Sequence, residues 1–299
     1  MALLAGLFIG QGAQAATVLV VLSDDSAVYQ ETAEALEREI GGNHKTVRTI
    51  AERLDATLAD GAETKLAIAI GVKAAERLSS RTDRVATLAV LVPRDWYQKN
   101  GRGILAEGGR IYGAVVLDQP YSRQLKLTKL ASPSATRVGV IYSQGNAGHL
   151  AEIESAARAL RLSVNETMID SETSLVDALE KTLSDSDVLL AIPDSIVLNR
   201  NTVQSLFITS YRYRDPVIGY SKSLTRAGAL VSLYSTPAQI GKQAGETAQR
   251  YLSGGKLSGM QWPKYYSISA NTHVARSLDI ELPSEQNLLK ELQEGGGND

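Results

Sequence analysis

The sequence has 299 residues, enough for two domains of ordinary size. Hydrophobic residues make up 43% and charged residues 21%, a composition typical of globular proteins and not of disordered ones. The net charge of -2 argues against a nucleic-acid partner, which usually binds a basic surface. The absence of cysteine excludes disulfides, thiolate nucleophiles and cysteine-bound metals.

The first fifteen residues have the order of a secretory leader. An uncharged apolar run opens the chain, and the small-x-small sequence Ala13-Gln-Ala15 follows it just before the first predicted strand. The run is shorter than the roughly 20 apolar residues of a membrane-spanning helix. Residues 1–15 are therefore predicted to be a signal peptide, and the mature protein is expected in the periplasm. A basic segment is missing before the run, so a leader truncated at its start and an ordinary buried N-terminal segment both stay open.

Apolar strands alternate with amphipathic helices along the rest of the chain. The predicted strands are 17–22, 46–50, 65–71, 86–92, 110–117, 137–142, 163–169, 187–193, 216–220, 230–233 and 265–269. The predicted helices are 27–40, 51–58, 72–78, 121–130, 150–160, 175–183, 203–211, 239–252 and 273–278. This alternation predicts an α/β protein in which helices cover both faces of parallel sheets.

The stretch from Arg110 to Tyr142 divides this pattern into two halves of similar size. Two α/β units in one chain favour a small ligand in the cleft between them. In parallel sheets, ligands bind at the loops that follow the carboxyl ends of the strands. Those loops are predicted at residues 23–26, 71–73, 93–96, 143–146, 193–196 and 220–223.

Motifs for catalysis, metals or nucleotides do not rise above background. The histidines His44, His149 and His273 lack the spacing of a zinc site. Gly219-Tyr-Ser221 is only part of a nucleophile elbow, and Ser253-Gly-Gly-Lys256 is typical of a helix end. We therefore expect no metal, no cofactor and no enzymatic activity, with an exported enzyme as the last alternative.

A few polar and aromatic side chains at strand ends suit a ligand site. Asp194 directly follows an apolar strand, where its carboxylate could pair with a ligand ammonium or cap the next helix. Ser143 and Asn146 could donate to a ligand carboxylate or only shape their turn. Trp96 could stack on a ligand ring or pack between the two halves.

Several short motifs together resemble a known family, the ABC-transporter substrate-binding proteins of the type I periplasmic fold. The resemblance is to the branch related to tryptophan- and tyrosine-binding components. The motifs that carry it are Tyr112-Gly-Ala-Val, Gln124-Leu-Lys-Leu, Pro133 before Arg137-Val-Gly-Val-Ile-Tyr142, Ile192-Pro-Asp194, Arg226-Ala-Gly-Ala-Leu, Gly241-Lys-Gln-Ala-Gly245 and Leu252-Ser-Gly-Gly-Lys256.

The resemblance implies two Rossmann-like lobes with parallel sheets, joined by three hinge crossings. Residues 17–118 and 236–262 would form lobe 1, residues 119–235 and 263–290 would form lobe 2, and residues 291–299 would be a flexible tail. By position, the family's ligand contacts fall on Ser23, Asp24, Ser26, Gly71, Val72, Ser143, Asn146, Asp194, Tyr220 and Ser221.

The function implied is capture of a small polar organic solute, such as an amino acid, for delivery to an ABC permease at the membrane. Two segments near the expected pocket depart from the family, namely Pro93-Arg-Asp-Trp-Tyr97 and Gly109-Arg-Ile-Tyr-Gly113. A periplasmic sensor that presents its closed form to a receptor or kinase is the alternative. No nucleic-acid partner is expected, and we expect a monomer.

The leader prediction has a direct test. Protein recovered from the periplasm should begin near Ala16, because cleavage would follow the Ala-x-Ala site. N-terminal sequencing of the exported protein checks this, and an intact Met1 in a cytoplasmic fraction would refute export.

Overall fold

The computed structural model describes residues 17–42, 44–58, 64–81, 85–101, 112–257 and 259–295. The predicted leader and most of the 109–113 departure lie outside these residues. The chain forms two compact units. Unit 1 consists of Met1–Leu117 and Pro237–Gln261, and unit 2 consists of Asp118–Thr236 and Trp262–Asp299.

Unit 1 is built on sheet 1, whose six strands are all parallel and lie in the order β11-β5-β4-β3-β1-β2. These strands are β1 (Thr17–Leu22), β2 (Lys45–Ile50), β3 (Thr64–Ile70), β4 (Ala86–Val92), β5 (Tyr112–Val116) and β11 (Met260–Gln261). The central strands are largely apolar because helices bury both of their faces.

The helices of unit 1 are α1 (Ala27–Ile40), α2 (Leu54–Leu58), α3 (Val72–Ser79), α4 (Arg94–Trp96) and α10 (Pro237–Leu252). A 3₁₀ turn (Ala51–Arg53) precedes α2, and a π-helical turn (Tyr97–Gly101) follows α4.

Helix α10 packs unusually close to α1 through two glycines. A Cβ at Gly241 would lie 2.3 Å from the backbone oxygen of Thr32, and one at Gly245 would lie 2.6 Å from that of Leu36. Both pairs are spaced by one helical turn, so one face of α10 contacts the backbone of α1. This contact anchors α10 in unit 1, although unit 2 separates it in sequence from the rest of that unit.

Unit 2 is built on sheet 2, in the order β12-β10-β9-β8-β6-β7. The strands are β6 (Arg137–Ser143), β7 (Ser163–Ile169), β8 (Val188–Leu190), β9 (Val217–Gly219), β10 (Val231–Tyr234) and β12 (Ser267–Ala270). All pair in parallel except β12, which is antiparallel to β10. The predicted α/β fold with parallel sheets is therefore confirmed, and β12 adds one antiparallel strand at the edge of sheet 2.

The helices of unit 2 are α5 (Tyr121–Ala131), α6 (Leu150–Ala159), α7 (Leu175–Leu183), α8 (Val203–Tyr213), α9 (Lys222–Ala227), α11 (Thr272–Ser277) and α12 (Glu285–Glu294). Helix α12 includes residues 291–294, which the sequence analysis places in a flexible tail. Its Leu288 and Leu292 are buried and hold it on the core of unit 2.

Three segments connect the units, and one network of hydrogen bonds joins their ends within unit 2. The side-chain amide of Gln119 donates to the Ser235 hydroxyl at 2.8 Å, and this hydroxyl donates to the backbone carbonyl oxygen of Tyr265 at 2.6 Å. Arg123 donates to the side-chain oxygen of Gln119 at 2.7 Å and to the oxygen of Pro263 at 2.8 Å. Each connecting segment therefore contributes at least one member of the network.

The close contact between α1 and α10 predicts that a single methyl group destabilises the fold. Gly241→Ala should lower the free energy of unfolding by about 1–3 kcal/mol, because overpacking outweighs the better helix propensity of alanine. Urea denaturation measures this change.

Gly42→Ala is the control, since a Cβ there would meet no atom within 4 Å. Its effect should stay within about 0.5 kcal/mol. Equal stabilities for the two variants would contradict the close packing.

Candidate functional site

The carboxyl edge of sheet 1 carries Ser23, which follows β1. Its buried hydroxyl donates to the Ile70 oxygen at 3.0 Å and accepts from the Ala74 backbone N–H at 3.1 Å. Ser23 therefore caps the first turn of α3 from a neighbouring strand. The donor of this predicted ligand contact is already used within the protein.

Gly71 makes the tight passage from β3 into α3. Its φ is +89°, and a Cβ would lie 2.5 Å from the Ser23 oxygen and 2.8 Å from the ring of Tyr29. Only glycine fits both constraints. Val72 then begins α3, so the start of this helix lies at the carboxyl edge of the sheet.

Asp24 and Ser26 lie exposed in the loop between β1 and α1. Asp24 accepts the Ser26 backbone N–H at 2.8 Å, and hydrogen bonding to Ser26, with a smaller contribution from Lys73, lowers the pKa of Asp24. The carboxyl of Asp24 is therefore ionised at neutral pH.

Lys73 and Glu52 form an exposed ion pair of 2.8 Å at the same edge, between the start of α3 and the turn after β2. The hydrogen bond and the charge of Lys73 lower the pKa of Glu52. Our sequence analysis placed Lys73 in the predicted loop 71–73 without naming it as a ligand contact, and it missed Glu52 because it did not include the loop after β2. Inspecting the residues after every predicted strand would have found Glu52.

The segment after β4 separates its two aromatic residues. Trp96 is half-buried, and its indole N–H donates to Glu76 at 3.2 Å. Tyr97 is buried and stacks on Tyr112, with ring centroids 5.7 Å apart. Trp96 therefore stays near the surface of unit 1, whereas Tyr97 belongs to the interior.

Asp194 is the centre of the carboxyl edge of sheet 2. One carboxylate oxygen accepts from the Ser143 backbone N–H and the Asn146 side-chain amide, both at 2.7 Å. The other accepts from the backbone N–H groups of Ile196 and Val197 at 2.9 and 3.2 Å. The residue is only 5% exposed, so this carboxylate holds the loops after β6 and β8 together.

These donors decide the charge of Asp194. Burial by itself would raise the pKa of Asp194, but the hydrogen bonds from Ser143, Asn146 and Ile196 outweigh it and lower that pKa. The group is therefore a buried anion at neutral pH. Four hydrogen bonds occupy its lone pairs, so it acts on a neighbour through its charge more than through a free acceptor.

Tyr220 and Ser221 follow β9 at the same edge. Burial, with the charge of Asp194, raises the pKa of the half-buried Tyr220 phenol. Its hydroxyl thus keeps its proton at neutral pH. The Ser221 hydroxyl accepts from the Leu224 backbone N–H at 3.3 Å and caps α9.

The predicted site residues therefore form two groups, one in each unit. Unit 1 brings together Ser23, Asp24, Ser26, Gly71 and Val72, and unit 2 brings together Ser143, Asn146, Asp194, Tyr220 and Ser221. Among the described residues, no cluster of histidines and carboxylates could hold a metal ion. No helix in that part of the chain is both long and apolar enough to cross a membrane.

Comparisons with known proteins agree with this architecture. The family model described as ABC transporter substrate binding protein matches residues 42–294. A curated protein from Clostridioides difficile, a tyrosine-binding protein, is 22% identical over 171 residues, which cover 56% of this chain. The match spans about half (49%) of the length of that relative.

Solved structures share the fold. A ligand-free, open substrate-binding protein with adhesive properties from Clostridium difficile aligns with a TM-score of 0.73 at 16% identity, over 91% of this chain and 97% of the other. An ABC domain from Streptococcus pneumonia in complex with L-Trp aligns with a TM-score of 0.59, also at 16% identity, over 93% and 98%. The fold is that of type I periplasmic binding proteins.

The hydrogen bonds to Asp194 predict a pH-dependent loss of stability on mutation. Asp194→Asn should lower the free energy of unfolding by about 2–4 kcal/mol at pH 7, because an amide group would face the existing donors. A carboxyl whose pKa is lowered by folding stabilises the protein above its unfolded pKa of about 3.9, and this stabilisation is lost as the pH falls through the folded pKa.

The difference between wild type and variant should therefore shrink below about pH 4. Urea denaturation between pH 7 and pH 3 measures it, with the exposed Asp177→Asn as control. A difference that stays constant with pH would show that Asp194 is not ionised in the native state.

Proposed function

Because this chain belongs to the ABC transporter substrate-binding protein family, we propose that it captures a small polar organic solute, an amino acid or a similar molecule, for an ABC importer. The observation that carries the proposal is the extent of the family match, since residues 42–294 include both units. Export to the periplasm and delivery to a permease are parts of the same proposal.

The carboxyl edge of unit 2 suits the ammonium end of an amino acid. The buried negative charge of Asp194 attracts a cation, although its lone pairs are occupied. The protonated hydroxyl of Tyr220 lies close enough to feel that charge and offers a further polar contact. In this proposal Asp194 positions Ser143 and Asn146 and sets the sign of the local potential.

The carboxyl edge of unit 1 suits the opposite end of such a ligand. The first turn of α3, at Gly71 and Val72, presents the positive end of a helix dipole and favours a carboxylate. Lys73 lies beside it, but its charge is balanced by Glu52 and by the ionised Asp24, so the helix start is the main attraction for a carboxylate. A zwitterion would thus find a helix start for its carboxylate on unit 1 and a buried anion for its ammonium on unit 2.

We further propose that the units act as the lobes of a hinge-closing binder. A solute that contacts both carboxyl edges would bind the closed form more tightly and shift the equilibrium towards it. The relatives support the ligand class, because one is a tyrosine-binding protein and another was solved with L-Trp. A permease and ATPase gene beside this gene would favour import, whereas a histidine kinase gene would favour the sensor alternative.

The proposal predicts stabilisation by amino acids. In a thermal-unfolding panel of amino acids, peptides, sugars and nucleosides, we expect an amino acid to raise the melting temperature. Ligand at about 100 times its dissociation constant adds roughly 2.7 kcal/mol to the free energy of unfolding.

The proposal also predicts the effect of one mutation in unit 2. Tyr220→Phe should weaken the binding of that amino acid about three- to tenfold, as loss of one hydrogen bond does, and calorimetry measures the affinity.

Tyr251→Phe on α10 is the matched control and should leave the affinity unchanged. A sugar or nucleoside as the sole hit would overturn the ligand class. A flat panel from protein shown to be ligand-free would favour the sensor alternative.

A further inference from the structure

A cavity lies within unit 2, at the amino end of sheet 2 and away from Asp194, which lies at the carboxyl edge of that sheet. It has a volume of about 260 Å³ and lies among α8, the start of β9 and α11. Its apolar lining includes Phe207, Ile208, Tyr211, Val217, Val274 and Leu278. Because Val217 begins β9 and Tyr220 follows its end, this cavity and the proposed solute site are at opposite ends of the same strand.

Two large apolar side chains at the rim of the cavity are unusually exposed to solvent. Ile208 is 57% exposed and Tyr211 is 56% exposed, three residues apart on the same face of α8. Such paired exposure beside a concave surface is a common mark of a binding site.

The cavity is also lined by two buried polar residues. Ser210 is 1% exposed and Asp215 is 8% exposed. Within the described part of the chain, the Ser210 hydroxyl oxygen and one carboxylate oxygen of Asp215 have no hydrogen-bond partner. Buried polar atoms are nearly always paired, so these two call for a partner that the chain does not supply.

The end of α8 explains why Asp215 is held here. Arg214 adopts a left-handed conformation with φ 61°, and its N–H donates to the Tyr211 oxygen at 3.0 Å. The Asp215 N–H donates to the Ser210 oxygen at 3.0 Å, which completes a Schellman motif. Asp215 therefore lies at the negative end of the helix dipole, where a cation is favoured and a second anion is not.

The surrounding charges only partly balance the carboxylate of Asp215. Burial, with the charge of Asp187, raises the pKa of Asp215 to about 7, and Arg137 opposes this only in part. Arg137 is itself paired with Asp187 at 2.8 Å. The neighbouring Arg214 is paired with Asp279, also at 2.8 Å.

We propose that this cavity binds a small amphiphilic primary amine. The apolar body of the amine lies against the exposed face of α8, and its ammonium group donates a hydrogen bond to the carboxylate of Asp215. A cation there relieves the unpaired carboxylate, which a neutral or anionic ligand does not. The site is separate from the proposed solute site and does not depend on it.

Benzylamine, with benzyl alcohol as its neutral analogue, tests the proposal on the full chain. Calorimetry at pH 8 should give a dissociation constant for benzylamine on the order of 1 mM, as expected for so small a ligand, and at least tenfold weaker binding of the alcohol. The affinity for benzylamine should fall roughly tenfold from pH 8 to pH 6, because protonation of Asp215 competes with the amine.

Asp215→Asn should weaken the binding of benzylamine at least tenfold and abolish its pH dependence. The variant should still fold, since it removes an unpaired buried charge, and its melting temperature at pH 8 should not fall. Ile208→Ser, at an exposed wall position, should weaken binding severalfold, whereas Tyr220→Phe at the proposed solute site should have no effect. Unchanged binding to Asp215→Asn, or no binding to wild type at about 10 mM, would overturn the proposal.

Discussion

The side-chain network around Gln119 is the constraint on which the two-unit organisation depends. The chain passes between the units three times, and each unit is assembled from segments far apart in sequence. In unit 2 these segments are joined by Gln119, Ser235 and the carbonyl of Pro263, with Arg123 at the centre. The guanidinium also lies 4.3 Å from the ring centroid of Tyr266. A buried cation is tolerated here because oxygen acceptors and an aromatic face replace its water.

Much of the fold could be predicted because buried parallel strands leave a simple signal. The runs at β1 and β4 are apolar except for one threonine each, and their observed bounds equal the predicted ones. Strand β8 is shorter than predicted, Val188–Leu190, because hydrophobicity continues to Pro193 beyond the paired residues. The sequence analysis missed helix α12, although Leu288 and Leu292 have the four-residue spacing of an apolar helix face. It also missed β11, because a strand of two residues is too short to leave a pattern. The antiparallel pairing of β12 is set by its register with β10, which no local pattern contains.

The candidate site was less predictable, because the sequence pattern places a side chain at a strand end but does not show whether its polar atoms are free to bind a ligand. The end of an apolar strand places Asp194 at the carboxyl edge, and pattern alone is sufficient for that. The donors that occupy its oxygens come partly from Ser143, 51 residues away in sequence. The same holds for Ser23, whose hydroxyl is used by a helix that begins at Val72. Which predicted contacts keep a free polar atom depends on tertiary neighbours, and these are not encoded in any single loop.

The two tryptophans stand at informative positions. Trp96 lies just after β4 near the carboxyl edge of unit 1, and Trp262 begins the segment that returns the chain to unit 2. Both are half-buried, so the polarity around each indole responds to local rearrangement. Since the sequence contains only these two tryptophans, fluorescence excited selectively in tryptophan, and not in the 12 tyrosines, reports on the carboxyl edge of unit 1 and on one connecting segment. The protein thus carries its own optical probes, and replacing either indole by phenylalanine would assign the signal to the other without a label.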